Sequence, residues 1–243
     1  MVEHTSAFRV RPGALASVAG LVIVPVVLAH ILTFYLHRAF GTELTKDLKY
    51  FFYLDQERNL PTFFAVCLWL LNVALFLLLW NIRRREGRLQ VIWLFLACLF
   101  CCLAIDEFAG IHEWLTPHIR LALGATGSLY YAWIVPYGLG VLLLAGVMLP
   151  VLRRLERRVA LWYCAAAVLF VGGAVGMEML AGLQQQTDAR LESHRYFWLT
   201  TLEETLEMCG LVVLFYASLL QVQGKCREIT FRFPPAGGPV DSA

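Results

Sequence analysis

The chain is poor in charge. Aspartate, glutamate, lysine and arginine make up 16% of its 243 residues, against 59% hydrophobic residues. That is too little charge to clothe a soluble domain of this length. Lysine and arginine are missing from every long apolar run, so a carboxylate placed in one of them has no internal cation to pair with. A net charge of +2 offers no basic surface to nucleic acid, and a nucleic-acid partner is not expected. The sequence also lacks two familiar metal patterns, the Glu-x-x-His pair of carboxylate-bridged bundles and the His-Glu-x-x-His of zinc proteases. Lipidation signals and a visible internal repeat are absent as well.

What is abundant is long apolar sequence. Runs at residues 14–35, 62–80, 91–110, 129–149, 159–183 and 197–220 each approach the roughly 20 residues that cross a bilayer as a helix. The mean hydropathy of +0.65 agrees. They predict an all-α fold, a polytopic membrane bundle of six transmembrane helices forming one domain, with residues 221–243 as a short tail. The first run is too long for the core of a signal peptide and lacks a small-residue cleavage site, so it reads as a retained span.

Charge placement orients the bundle. Arginine-rich loops at 81–90 and 150–158 follow the second and fourth spans, and both ends of the chain carry a modest basic excess. By the positive-inside rule these four segments, including the N- and C-termini, are cytoplasmic. The short arginine loops suggest a multi-pass protein of a bacterial-type inner membrane. The loop at 38–60 cancels its own charge, and Tyr50, Phe51, Phe52 and Tyr53 suit the membrane interface.

Proline and glycine punctuate the runs. Pro61 suits a first helical turn, Pro117 limits the continuation of the third span, and Pro136 predicts a kink in the fourth. Gly172, Gly173 and Gly176 offer a small-residue face to a neighbouring helix. Six of the seven cysteines fall in apolar runs and read as small hydrophobes. The Cys-x-x-Cys spacing within Cys98, Cys101 and Cys102 is assigned to packing rather than redox or metal chemistry.

The informative residues are acids in hydrocarbon, which are costly and mark functional interiors. Asp106, Glu107, His112 and Glu113 close the third run, Glu178 interrupts the fifth, and Glu203, Glu204 and Glu207 open the sixth. The predicted orientation gathers them in the outer half of the bilayer, with His30 and His37 of the first span at a similar level. Like-charged buried carboxylates either hold protons or share a cation. A divalent metal (iron, manganese or zinc) satisfies several at once.

The candidate ligands are Glu107, His112, Glu178, Glu203, Glu207 and His30, the last either a ligand or a hydrogen-bond partner of one. Asp106, Glu107, His112 and Glu204 are the candidate catalytic groups. Glu113 reads as an interface carboxylate, and His37, His118 and His194 as interface histidines. On a continuous helix Glu107 and His112 point to different sides, and a break near Gly110 is needed to turn His112 back toward Glu107.

These residues point to a metal-dependent membrane enzyme, a hydrolase or a di-metal oxidoreductase, acting on a membrane lipid or another apolar small molecule. Two other classes stay open: a proton-coupled transporter, and a non-catalytic assembly or sensor subunit with a membrane-protein partner. The outer-half placement weighs against an alternating-access carrier, whose site lies near the midplane.

Overall fold

The structure is a computed structural model that describes residues 5–9, 11–87, 90–187, 194–225 and 228–232. Among the described residues, six helices are long and apolar enough to cross a membrane. Hydrocarbon leaves the backbone no partner but itself, so each apolar run closes its own hydrogen bonds as a helix.

Helix α1 (Pro12–Phe40) opens on proline and ends at Gly41, whose left-handed φ of 60° sends its N–H to His37 O. Helix α2 (Glu43–Phe52) is capped by Thr42, which accepts from Thr45 N at 3.2 Å. It is amphipathic, buries none of its residues and lies outside the spans, as expected for loop 38–60. Helix α3 (Leu60–Arg83) is capped by Asn59 with Pro61 in its first turn. Helix α4 (Val91–Ala109) stops at Gly110, and α5 (Ile111–Leu123) begins there. Helix α6 (Ile134–Leu152) follows. Helix α7 (Arg157–Val171) then passes through a π-helical segment, Gly172–Met177, into α8 (Glu178–Thr187). The longest helix is α9 (His194–Lys225).

Two proline expectations need correction. Pro117 does not end its helix but sits inside α5, which runs on to Leu123. Its missing N–H costs one bond to Glu113 O, and a short helix outside the hydrocarbon survives that loss. Pro136 produces no kink, because α6 starts at Ile134 and the proline falls in the first turn, where N–H groups have no intrahelical partner.

Helix α9 is the hub, packing on α1, α3 and α7. Between lipid-solvated helices association relies on close packing rather than on the hydrophobic effect, and small residues supply it here. A Cβ on Gly210 would lie 2.7 Å from Phe170 N, and one on Gly173 would lie 2.8 Å from Glu203 O. Of the three glycines expected to face a neighbour, Gly173 does so, while Gly172 and Gly176 have nothing within 4 Å. Asn72 Nδ2 donates to Leu68 O and to Leu211 O, tying α3 to α9. Tyr163 OH donates to Gln221 Oε1 at 2.7 Å, tying α7 to α9. Trp93, Phe76, Leu79 and Val222 fill the core at this end of the bundle. Cys98, Cys101 and Cys102 are free and exposed on α4, and Cys102 lines the cavity beside that helix.

The same end gathers the first and last described segments. Thr5–Arg9 and Glu228–Arg232 pair as a two-stranded antiparallel ribbon, the one departure from helix among the described elements. The tail thus contains a strand where only a short tail was expected. Lys225 Nζ reaches Glu86 at 2.9 Å, joining the end of α9 to the arginine loop after α3. Helix α6 stands apart: Ile134 and Val151, at its two ends, are its buried residues. The space it leaves beside α4 and α7 is a cavity.

Candidate functional site

The cavity has a volume of about 1000 Å³. Phe95, Leu99 and Leu103 of α4, Val141, Leu144 and Val147 of α6, and Phe170 and Val175 on the α7 side make its lower wall apolar. Phe95, Leu143 and Val147 of this wall keep half or more of their surface accessible, so the apolar shaft is open rather than filled by side chains. Its head, at the end away from the two-stranded ribbon, is lined by acids.

Gly110 organises that head. Its φ of 68° ends α4, with its N–H bonded to Asp106 O at 2.8 Å, and redirects the chain into α5. The turn brings His112 back over the end of α4. Asp106 accepts from the His112 backbone N–H at 3.0 Å and from Tyr137 OH at 3.1 Å, and its second oxygen lies 3.1 Å from His112 Nδ1. The expected break at Gly110 is present, but the partner it delivers is Asp106 rather than Glu107. With Nδ1 committed to Asp106, Nε2 is the ring nitrogen left for a ligand, the arrangement in which a carboxylate orients a metal-binding histidine.

The segment between α2 and α3 closes the head from the other side. Arg58 adopts a positive φ of 60° and its guanidinium donates to Ala109 O at 3.1 Å, pinning this loop to the end of α4. Asn59 Nδ2 donates to Tyr53 O at 2.6 Å. The Glu57 carboxylate then lies against Gly110, in space that a Cβ would occupy. Its Oε1 is buried with no hydrogen-bond partner. Ligand atoms of Glu57, His112 and Glu113 all lie within 4.8 Å of one another, a spacing that a single cation can bridge.

These groups lie outside the spans, and their acidities reflect the crowding. Burial disfavours the His112 imidazolium, but the hydrogen bond and charge of Asp106, with Glu113 and Glu107 nearby, outweigh it and carry its pKa up to about 9. Burial and the neighbouring Glu113 push Glu57 up to about 6. Asp55, which accepts from Tyr196 OH at 3.0 Å, is raised to about 8, first by burial and then by Glu178 and Glu113.

A second tier lies deeper. Glu178 and Glu203 both line it. Glu107, Glu204 and Glu207 are enclosed by the bundle, and their accessible surface is cavity wall. Among the described residues, nine carboxylates line the cavity with one histidine and no lysine or arginine. Glu107, Glu178 and Glu207, far apart in the chain, thus share one chamber.

The structure does not bring His30 to it. Leu54 N–H donates to His30 Nδ1 at 3.2 Å, so Nε2 carries the hydrogen and donates to Thr201 Oγ1 at 3.0 Å. The ring is stacked on Phe197 with centroids 4.6 Å apart. With both nitrogens engaged, His30 is no ligand. It anchors the loop that carries Asp55 and Glu57. His37, His118 and His194 also stay out of the cavity lining. His37 pairs with Thr45, His118 with Trp114 O, and His194 meets Phe34 edge-on.

Sequence reasoning missed Asp55 and Glu57 and underweighted Glu113. Loop 38–60 balances four acids against four bases, and that balance concealed two acids that fold inward. The available signal was their position just before Asn59 and Pro61, level with the end of span 3. Glu113 joins the cluster because α5 turns back at Gly110 instead of continuing outward. Among the described residues, the three-donor set shares only His112 with the expected ligands. Glu107, Glu178, Glu203 and Glu207 line the deeper wall instead.

Fold and site together define a six-span helical membrane protein with a carboxylate–imidazole cluster at the head of an apolar cavity. The chain belongs to the family described as Domain of unknown function (DUF8692), whose model matches residues 18–222, a range that contains all of the cluster and most of every span. Comparison with curated proteins and with solved structures returned no match.

Proposed function

We propose that this protein is a metal-dependent membrane hydrolase that cleaves an ester or amide bond in a lipid or other apolar substrate. The observation that carries the reading is the Glu57–His112–Glu113 set, with one buried Glu57 oxygen lacking a hydrogen-bond partner among the described residues, at the head of a cavity with an apolar shaft. A divalent cation bound there would polarise a carbonyl and lower the pKa of a bound water to about 7. Zinc, manganese and iron all suit a set of two carboxylates and one imidazole.

The chain's own groups supply the rest. Asp106 holds Nδ1 of His112 and so orients the ring, whose Nε2 proton a bound cation would displace. Glu107 feels the charges of His112, Glu57 and Glu113 and has no hydrogen bond among the described residues. It is therefore the group we assign to take a proton from the attacking water. The apolar shaft holds the substrate's chain and excludes water from the reacting bond. A single three-donor set favours hydrolysis over a two-iron oxidation held by Glu107, Glu178, Glu207 and His112. By the positive-inside rule the arginine loops face the cytoplasm, which puts the cluster on the outer side, in an inner membrane if the cell is bacterial.

Metal analysis of the full chain purified in mild detergent tests this. One divalent ion per chain is expected, lost in Glu57→Gln, Glu113→Gln and His112→Ala. Glu107→Gln keeps the metal and loses cleavage of a fluorogenic long-chain amide or ester. A folded protein that cleaves such a substrate after exhaustive chelation refutes the metal assignment. A folded protein that neither binds metal nor turns over any acyl substrate favours a transporter or a non-catalytic subunit.

A further inference from the structure

The three ligand candidates leave most of the cavity's acids unused. Glu107, Glu204 and Glu207 lie deep in the wall, below the Glu57–His112–Glu113 set, and make no hydrogen bond or ion pair among the described residues. One cation at the head does not answer three more carboxylates. Below them the wall is apolar. From Glu107 back to Phe95 the α4 face runs about 18 Å at a rise of about 1.5 Å per residue, the length of a long alkyl chain. A cavity of about 1000 Å³ is at the upper end of the roughly 300–1,000 Å³ of small-molecule sites, room for one chain and a headgroup.

The chemistry of the wall selects the headgroup. Ionised carboxylates only accept hydrogen bonds, and so do the oxygens of a phosphodiester. Among the described lining residues there is no lysine or arginine, and the one basic side chain, His112, is already paired with Asp106, so a phosphate meets a large excess of carboxylates there. An ammonium is the reverse: three N–H donors, one positive charge and no acceptor. We propose that the cavity receives an amphiphile with a single long alkyl chain and an amine-bearing, phosphate-free headgroup, its nitrogen lodged among Glu107, Glu204 and Glu207. This inference rests on the reading of the cavity as a substrate site and deepens it by naming the substrate class.

The test uses the full chain in nanodiscs of neutral lipid. Radiolabelled hexadecylamine is displaced in turn by hexadecylamine, hexadecanol and hexadecyl phosphate. Hydrogen bonds between charged partners are the stronger class, so the amine is expected to displace the label about tenfold more effectively than the alcohol, and the phosphate is expected to be the weakest competitor. In the Glu204→Gln, Glu207→Gln double variant the amine falls to the level of the alcohol while alcohol affinity stays unchanged, which also reports a folded cavity. Displacement by the phosphate as strong as by the amine overturns the proposal, as does an amine preference that survives in the double variant. Metal content read on the same samples separates the two ideas. Amine selectivity in a protein that binds no metal refutes the metal enzyme alone. Bound metal without amine selectivity refutes this inference alone.

Discussion

Substituting Gly110 tests the architecture of the site most sharply, because two separable penalties meet there. Its φ of 68° is left-handed, and an L-residue in that conformation costs about 1–2 kcal/mol. A Cβ would also overlap the Glu57 carboxylate, and inserting a methyl group into occupied space costs about 1–3 kcal/mol more. Gly110→Ala is therefore expected to destabilise by about 2–5 kcal/mol. It should also weaken metal binding, because Glu57 is pushed out of the three-donor set. Glu57→Ala clears the space, so the double variant retains only the backbone penalty of about 1–2 kcal/mol. The non-additivity, about 1–3 kcal/mol, is the measured quantity. Reversible unfolding in mixed micelles, monitored by tryptophan fluorescence with a chelator present, gives all four corners of the cycle. If the double variant is as unstable as the two single effects added together, Glu57 does not lie against Gly110 and the cluster as described is wrong.

Two further predictions concern stability. Asp55 titrates near 8 in the fold against 3.8 for a free aspartate, burial being the main cause. A raised carboxyl means that the native state favours the protonated form. Its contribution is complete below about pH 3.8 and is lost as pH rises through about 8. Asp55→Asn, which still accepts from Tyr196, should flatten that decline and stabilise the metal-free protein at pH 8 by on the order of a few kcal/mol. An unchanged pH slope in chelator contradicts the burial of Asp55. For helix packing, Gly210→Ala and Gly173→Ala should each cost about 1–3 kcal/mol, since the added Cβ meets backbone of the facing helix. Gly172→Ala and Gly176→Ala, which face open space, should be neutral or slightly stabilising. Thermal unfolding in detergent ranks the four, and equal effects at all four glycines would remove the close α7–α9 contact.

The spans were legible because membrane helices report themselves locally. Hydropathy over about 20 residues and the requirement for internal hydrogen bonds leave little else for such a run to do. The acids on α4, α8 and α9 were legible for the same reason: each is an anomaly within its own run. The break at Gly110 was visible as a possibility, since glycine after an apolar helix is a common stop. Its consequence was not visible. Whether His112 turns toward Asp106 or Glu107 depends on the direction in which α5 leaves, and that direction is set by packing. His30 misled because an ionisable residue on a span usually signals chemistry, whereas both of its nitrogens are spent on Leu54 and Thr201. Pro117 misled because a local rule about helix ends was applied to a short surface helix that tolerates the lost bond.

From composition and pattern alone the chain is a six-span helical membrane protein with acids gathered toward one end, because lipid acts on each segment separately and the cost of burying a charge is a local quantity. The choice of the three residues that converge, and the presence of Glu57 among them, was decided by the tertiary structure. A loop whose charges cancel in sequence can still fold two of its acids inward once Arg58 and His30 hold its backbone, and only a neighbour with no side chain, Gly110, leaves room for the Glu57 carboxylate to arrive.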